Sequence, residues 1–174
     1  IVGGENVFDY SIGNPSIPSP KEVDDAIRAV LSDTDSLLVH GYTSAVGDYE
    51  TRKAISDDLN ARYGVKTTPE RFFLTCGAAP ALVSVLRALS IPDGEVLAIA
   101  PYFPEYKPFT EEAGLTFRVV SADVPSFQIN FEALEKMINH NTQAIILNSP
   151  NNPSGVVYSR ETLQKLSHLL ADKI

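Results

Sequence analysis

The sequence predicts an α/β fold in three layers, with helices on both faces of a largely parallel sheet. Three observations predict it. Short apolar runs alternate with segments whose apolar residues recur every three to four positions, the pattern of strands joined by helical crossovers. One run, QAIILN at 143–148, is apolar through its centre, as expected of a strand covered on both faces. Loops of unusual composition follow the strand ends at Thr75, Ala100 and Asn148, on the rim where such sheets hold their ligands.

Taken in order, residues 1–20 are rich in Gly, Pro, Ser and Asn and lack an amphipathic period, which predicts an extended arm. Ser19 then caps a helix with Glu22 three residues on and Pro20 in the first helical position. Val23, Ile27, Val30 and Leu31 form its apolar face, and it should run to about Leu31. After a loop, Asp48 caps a second helix with Ile55, Leu59 and Tyr63 as its apolar positions and Gly64 as its stop. RFFLT (71–75) reads as a strand, followed by a helix bearing Leu82, Val85, Leu86 and Leu89.

Pro92, Asp93 and Gly94 turn the chain into the strand EVLAIA (95–100). A helix over Glu105–Ala113 stops at Gly114, and a strand passes through Phe117, Val119 and Val120. Asn130 caps a helix carrying Phe131, Leu134, Met137 and Ile138. The strand at 143–148 follows, and Ser159 caps a last helix with Leu163, Leu166 and Leu170.

Composition excludes several classes. The 174 residues carry a formal charge of −8 without a basic run, which argues against a nucleic-acid backbone as partner. No apolar stretch approaches the ~20 residues that span a bilayer. No basic segment leads into an apolar one at the N-terminus, so a soluble, cytoplasmic protein is expected. The single cysteine, Cys76, allows neither an internal disulfide nor a multi-cysteine zinc site, and no metal is expected.

Three loops carry the chemistry. TCGAAPAL (75–82) sets small residues at a helix start, where free N–H groups and the helix dipole can cradle a phosphate; a tight turn chosen for packing reads the same way. APYFPEY (100–106) places aromatic rings between prolines, suited to stacking on a flat heterocycle or to ordinary loop packing. NSPNNPSG (148–155) offers carboxamides that can orient a ring substituent or simply form turns.

Together with SIGNPSIPSP (11–20) and GYTSAVGDYETR (41–52), these motifs, in this order and spacing, resemble the aspartate-aminotransferase-like fold type I family of pyridoxal 5′-phosphate (PLP) enzymes, from Ser11 to Gly155. The resemblance implies the PLP-dependent transferase-like fold. Residues 1–40 would be the N-terminal arm and first helix on the small-domain side, and residues 41–174 the first part of an incomplete PLP-binding large domain. It implies that the N–H groups of Ala78 and Ala79 bind the cofactor phosphate, that Phe103 stacks on the pyridine and that Asn152 hydrogen-bonds the phenolic oxygen. Gly13 would offer its backbone to the substrate α-carboxylate, and Tyr42 would reach the phosphate of the neighbouring subunit in a homodimer. Gly47 and Arg52 match structural positions.

The implied activity is amino transfer between an amino acid and a 2-oxo acid. A C–S lyase or decarboxylase on the same scaffold is the alternative within the family. Ala79 and Pro80 stand where relatives often have a hydroxyl, shifting phosphate binding toward backbone groups. None of the seven lysines lies in a motif like that of the family's Schiff-base lysine, which is expected beyond Ile174 with the pyridine-nitrogen aspartate and the carboxylate-binding arginine. No catalytic residue is therefore assigned within this chain, and by itself it would be a non-catalytic fragment with an unpaired sheet edge. Ile1–Gly4 also resembles the mature start of trypsin-like proteases. A reading on four residues fails against the α/β pattern and the absence of that family's glycine-flanked serine.

Overall fold

The computed structural model describes Gly13 and residues 17–171. The extended arm expected over residues 1–20 therefore falls largely outside the described residues. The chain divides into two compact units, Ile1–Phe72 and Phe73–Ile174.

The first unit holds α1 (Lys21–Asp33), α2 (Ser36–His40), α3 (Tyr49–Tyr63) and a 3-10 turn at Pro69–Arg71. α1 starts one residue later than predicted: Pro20 is its N-cap and no side chain caps it, so Ser19 does not play that role. α2 was not expected; Asp35 caps it by accepting from the Leu37 N–H at 2.7 Å. α3 begins and ends as the sequence predicts, with Asp48 accepting from the Thr51 N–H at 2.8 Å and Gly64 in the left-handed region at φ 65°.

The buried stripe of α3 differs from the apolar one expected. Arg52 and Ser56 are its buried residues, while Tyr63 is exposed. Arg52 donates to the carbonyls of Gly47 (3.2 Å) and Pro69 (2.7 Å); Ser56 Oγ meets Thr67 Oγ1 at 3.1 Å. One turn further on, Asn60 donates to the Thr67 carbonyl at 3.0 Å and accepts its N–H at 2.8 Å. A polar ladder at i, i+4 and i+8 thus fastens residues 67–69 to the helix. This bears out a structural role for Gly47 and Arg52.

The second unit holds α4 (Ala78–Ala88), β1 (Glu95–Ile99), α5 (Tyr106–Glu112), β2 (Thr116–Val120), α6 (Phe131–Met137), β3 (Thr142–Ile146) and α7 (Arg160–Ala171). The strands form a parallel sheet in the order β2-β1-β3. The central strand is β1, buried at every position, whereas β3 is half-buried along most of its length. The fully covered strand is thus EVLAI rather than QAIIL, because only β1 has a neighbour on each side among the described residues.

Alternation along β1 divides the core into two layers. Val96 packs with Leu86 of α4 and Leu115, with Phe109 of α5 against them; Leu97 and Ile99 pack with Leu134 of α6 and Leu166 of α7. Helices therefore cover both faces, the three-layer arrangement expected. Each such fully buried aliphatic side chain contributes roughly 1.5–3 kcal/mol.

The predicted strand at 71–75 does not form. Phe72 is extended (φ −112°, ψ 136°), yet residues 72–75 enter no ladder among the described residues and Phe73 is 60 % exposed. A strand requires a partner, and none of β1, β2 or β3 pairs with this segment.

Candidate functional site

Topology selects the site. From β1 the chain crosses to β2 through α5 on one face, then returns through α6 on the other face to β3 on the far side of β1. The crossovers diverge on either side of the β1/β3 boundary, the topology at which sheets of this kind form a ligand crevice beyond the carboxyl ends of the two strands. The loops that meet there begin at Ala100 and Leu147.

α4 delivers its N-terminus to the same end. It closes through a short turn into the start of β1 and packs Leu86 against Val96, so it runs antiparallel to that strand. Its eleven residues span about 16 Å, close to the length of the five-residue strand, which carries Ala78 to the carboxyl end. Gly77, with φ 100° and ψ −178°, makes the entry turn in a region open essentially to glycine alone. No side chain caps the helix, and Ala78 and Ala79 are exposed. The first-turn N–H groups and the positive end of the helix dipole face outward, a setting suited to an anion.

After β1, the Phe103 ring is half-buried and meets the Tyr106 ring edge-on at 5.7 Å. Burial pushes the Tyr106 phenol above its ordinary range, keeping it neutral. After β3, the loop is tightly self-bonded: Asn152 N–H donates to Asn148 Oδ1 (2.8 Å), Asn151 N–H to the Val156 carbonyl (2.8 Å), and Tyr158 N–H to Ser149 Oγ (3.0 Å). Asn152 is exposed, while its neighbour Asn151 is buried and donates from Nδ2 to the Pro101 carbonyl at 3.1 Å. The two loops of the crevice are joined at that bond.

Among the predicted residues, Ala78, Ala79, Phe103 and Asn152 thus lie at one end of the second unit's sheet. Tyr42 and Gly13 belong to the first unit. Tyr42 is fully exposed beside a depression of about 530 Å³ that Leu38, Thr43 and Tyr49 also line. Gly13 is exposed with open space around its Cα. The sequence analysis gave Asn151 no role; the doubled asparagine before Pro153 was the available signal, and only Asn152 was singled out.

The groups on the rim suit a phosphorylated flat heterocycle: outward N–H groups for the dianion, a half-buried ring for the planar face and an exposed carboxamide for an oxygen substituent on the ring. All six described lysines are exposed. No group of three or more His, Cys, Asp or Glu among the described residues is placed to hold a metal ion. No helix among them is long and apolar enough to cross a membrane.

Residues 5–174 match the family of class I and II aminotransferases, and the chain belongs to that family. An aspartate aminotransferase of Thermotoga maritima is 35 % identical over 95 % of this chain and 43 % of its own length. A crystal structure of an aminotransferase from Eubacterium rectale superposes with a TM-score of 0.95 at 53 % identity, covering 99 % of this chain and 44 % of that one. An S-alkyl-thiohydroximate lyase of Arabidopsis thaliana is 31 % identical over 94 % of this chain and 36 % of its own length. The chain spans less than half the length of these relatives.

Proposed function

We propose that the protein to which this chain belongs is a PLP-dependent aminotransferase that moves an amino group between an amino acid and a 2-oxo acid. The observation that carries the reading is the meeting of the Phe103 and Asn152 loops at the β1/β3 crevice, with the uncapped start of α4 at the same end of the sheet.

In this reading the N–H groups of Ala78 and Ala79 hold the cofactor phosphate, Phe103 covers the ring and Asn152 donates to the phenolic oxygen. When bound, the cofactor supplies an electron sink for the substrate's α-carbon. The residues of this chain bind and orient it and tune its phenolic oxygen; the lysine that attaches it lies outside residues 1–174. Gly13 offers its backbone to the substrate carboxylate, and Tyr42 serves the neighbouring subunit of a homodimer. Residues 1–40 belong to the small-domain side and 41–174 to the cofactor-binding large domain. A cytoplasmic setting fits the single cysteine.

The similarity to the Arabidopsis lyase supports a second reading, C–S bond cleavage on the same scaffold. Product analysis separates the two. The full-length protein, given an amino acid and a 2-oxo acid, should yield the matching new pair of amino and oxo acids. Pyruvate and ammonia from a sulfur-bearing substrate, with no amino transfer to any acceptor, would sink the aminotransferase reading.

A further inference from the structure

Asn151 is 8 % exposed, yet among the described residues its Oδ1 is a buried side-chain polar atom without a hydrogen-bond partner. The orientation of its carboxamide follows from chemistry. Nδ2 faces the Pro101 carbonyl at 3.1 Å, and the reverse orientation would set two acceptors against each other. A leucine would fill similar space without burying an unpaired acceptor, so what this position requires is the amide donor. The main chain of Asn151 is held as well, its N–H by the Val156 carbonyl at 2.8 Å and its own carbonyl by the Gly155 N–H at 2.7 Å.

Pro101 stands two residues before Phe103, and Asn151 immediately precedes Asn152. One part-buried hydrogen bond therefore spans 50 residues of sequence and joins the loop that presents the ring to the loop that presents the carboxamide. We infer that Asn151 is a positioning residue: through the Pro101 carbonyl it sets the separation of the Phe103 ring from the Asn152 carboxamide. The two then engage the cofactor's flat face and its phenolic oxygen together. The inference rests on the roles proposed above for Phe103 and Asn152.

The test compares affinities of the full-length apoprotein for PLP and for 3-deoxypyridoxal 5′-phosphate, which lacks the phenolic oxygen. The ratio of the two dissociation constants isolates the Asn152 contact within each variant. Asn152→Ala should bring the wild-type preference for PLP close to one. Asn151→Ala, with Asn152 intact, should lower it by roughly three- to tenfold, the scale of one hydrogen bond. A wild-type ratio in Asn151→Ala beside a collapsed ratio in Asn152→Ala overturns the inference, including the case in which both ligands weaken equally, as a merely structural role would produce. A wild-type ratio in Asn152→Ala overturns the Asn152 assignment, and this inference with it. Asn151→Asp keeps the shape and sets an acceptor against the Pro101 carbonyl, and it carries the same comparison if Asn151→Ala does not fold.

Discussion

The Arg118 guanidinium on β2 donates to the Glu95 carboxylate on β1 at 2.9 Å, at the end of the sheet opposite the candidate site. Glu95 Oε1 also accepts from Asn139 Nδ2 at 2.7 Å and from Thr142 Oγ1, the first residue of β3, at 2.8 Å. One buried carboxylate thereby joins all three strands. It sits where the β1/β3 register shifts by a residue, between Glu95 and Val96.

Burial pushes the Glu95 carboxyl up, but the donors from Arg118, Thr142 and Asn139 outweigh it and the net shift is downward. A carboxylate whose folded pKa is depressed contributes stability above its unfolded value, and that stability is lost as pH falls through the folded value. Glu95→Gln should therefore destabilise the full-length protein at neutral pH by about 1–2 kcal/mol, given that Arg118 is partly exposed, and lower its thermal midpoint accordingly. The gap from wild type should close on acidification below the ordinary glutamate range of about 4.3. Paired melting curves across pH check this; a gap that widens in acid contradicts it.

Gly77→Ala should strain the entry to α4, since φ 100° with ψ −178° costs a side-chain-bearing residue of order 1–3 kcal/mol. An added Cβ would meet nothing within 4 Å, so the effect runs through the backbone and the aim of the first-turn N–H groups. Affinity for PLP should fall more than affinity for pyridoxal, which lacks the phosphate. Equal losses for the two would remove the phosphate from the α4 N-terminus.

Asn152→Ala should impair turnover far more than folding. Its side chain is exposed, and the loop is held by its main chain and by its neighbours. The melting midpoint should correspond to a change within about 0.5 kcal/mol, as for surface substitutions. Unchanged steady-state kinetics would withdraw the assignment.

Expressed alone, the 174-residue chain should self-associate. β2 and β3 each leave an edge without a partner among the described residues, and Phe73 and Val85, both more than half exposed, flank an apolar groove of about 200 Å³. Sedimentation at rising concentration should show growing species; a stable monomer would contradict the prediction.

Several outcomes decided by local chemistry were legible in the sequence, although the failure of the Ser19 cap and the Asp35-capped α2 were not. Asp48, Asn130 and Ser159 cap the helices they were expected to cap, because a short oxygen-bearing side chain before an amphipathic run needs no tertiary partner. Where long-range partners decided, the outcome was not legible. The 71–75 segment has strand composition but lacks a neighbouring strand. The buried stripe of α3 is polar because residues 67–69 supply acceptors, something no periodicity count could show. In the proposed site, composition marked the three loops, and the resemblance in their order and spacing supplied Ala78, Ala79, Phe103 and Asn152. Asn151 was not legible, since only folding brings the Pro101 carbonyl to it.

In the proposed enzyme this chain supplies the non-covalent side of a PLP site and the rest of the protein supplies its covalent anchor. Borohydride reduction of the full-length protein with PLP, followed by peptide mapping, tests it most directly. One labelled lysine outside residues 1–174 is the expected result. A specific label on any of the seven lysines within this chain, or no specific label at all, would contradict it.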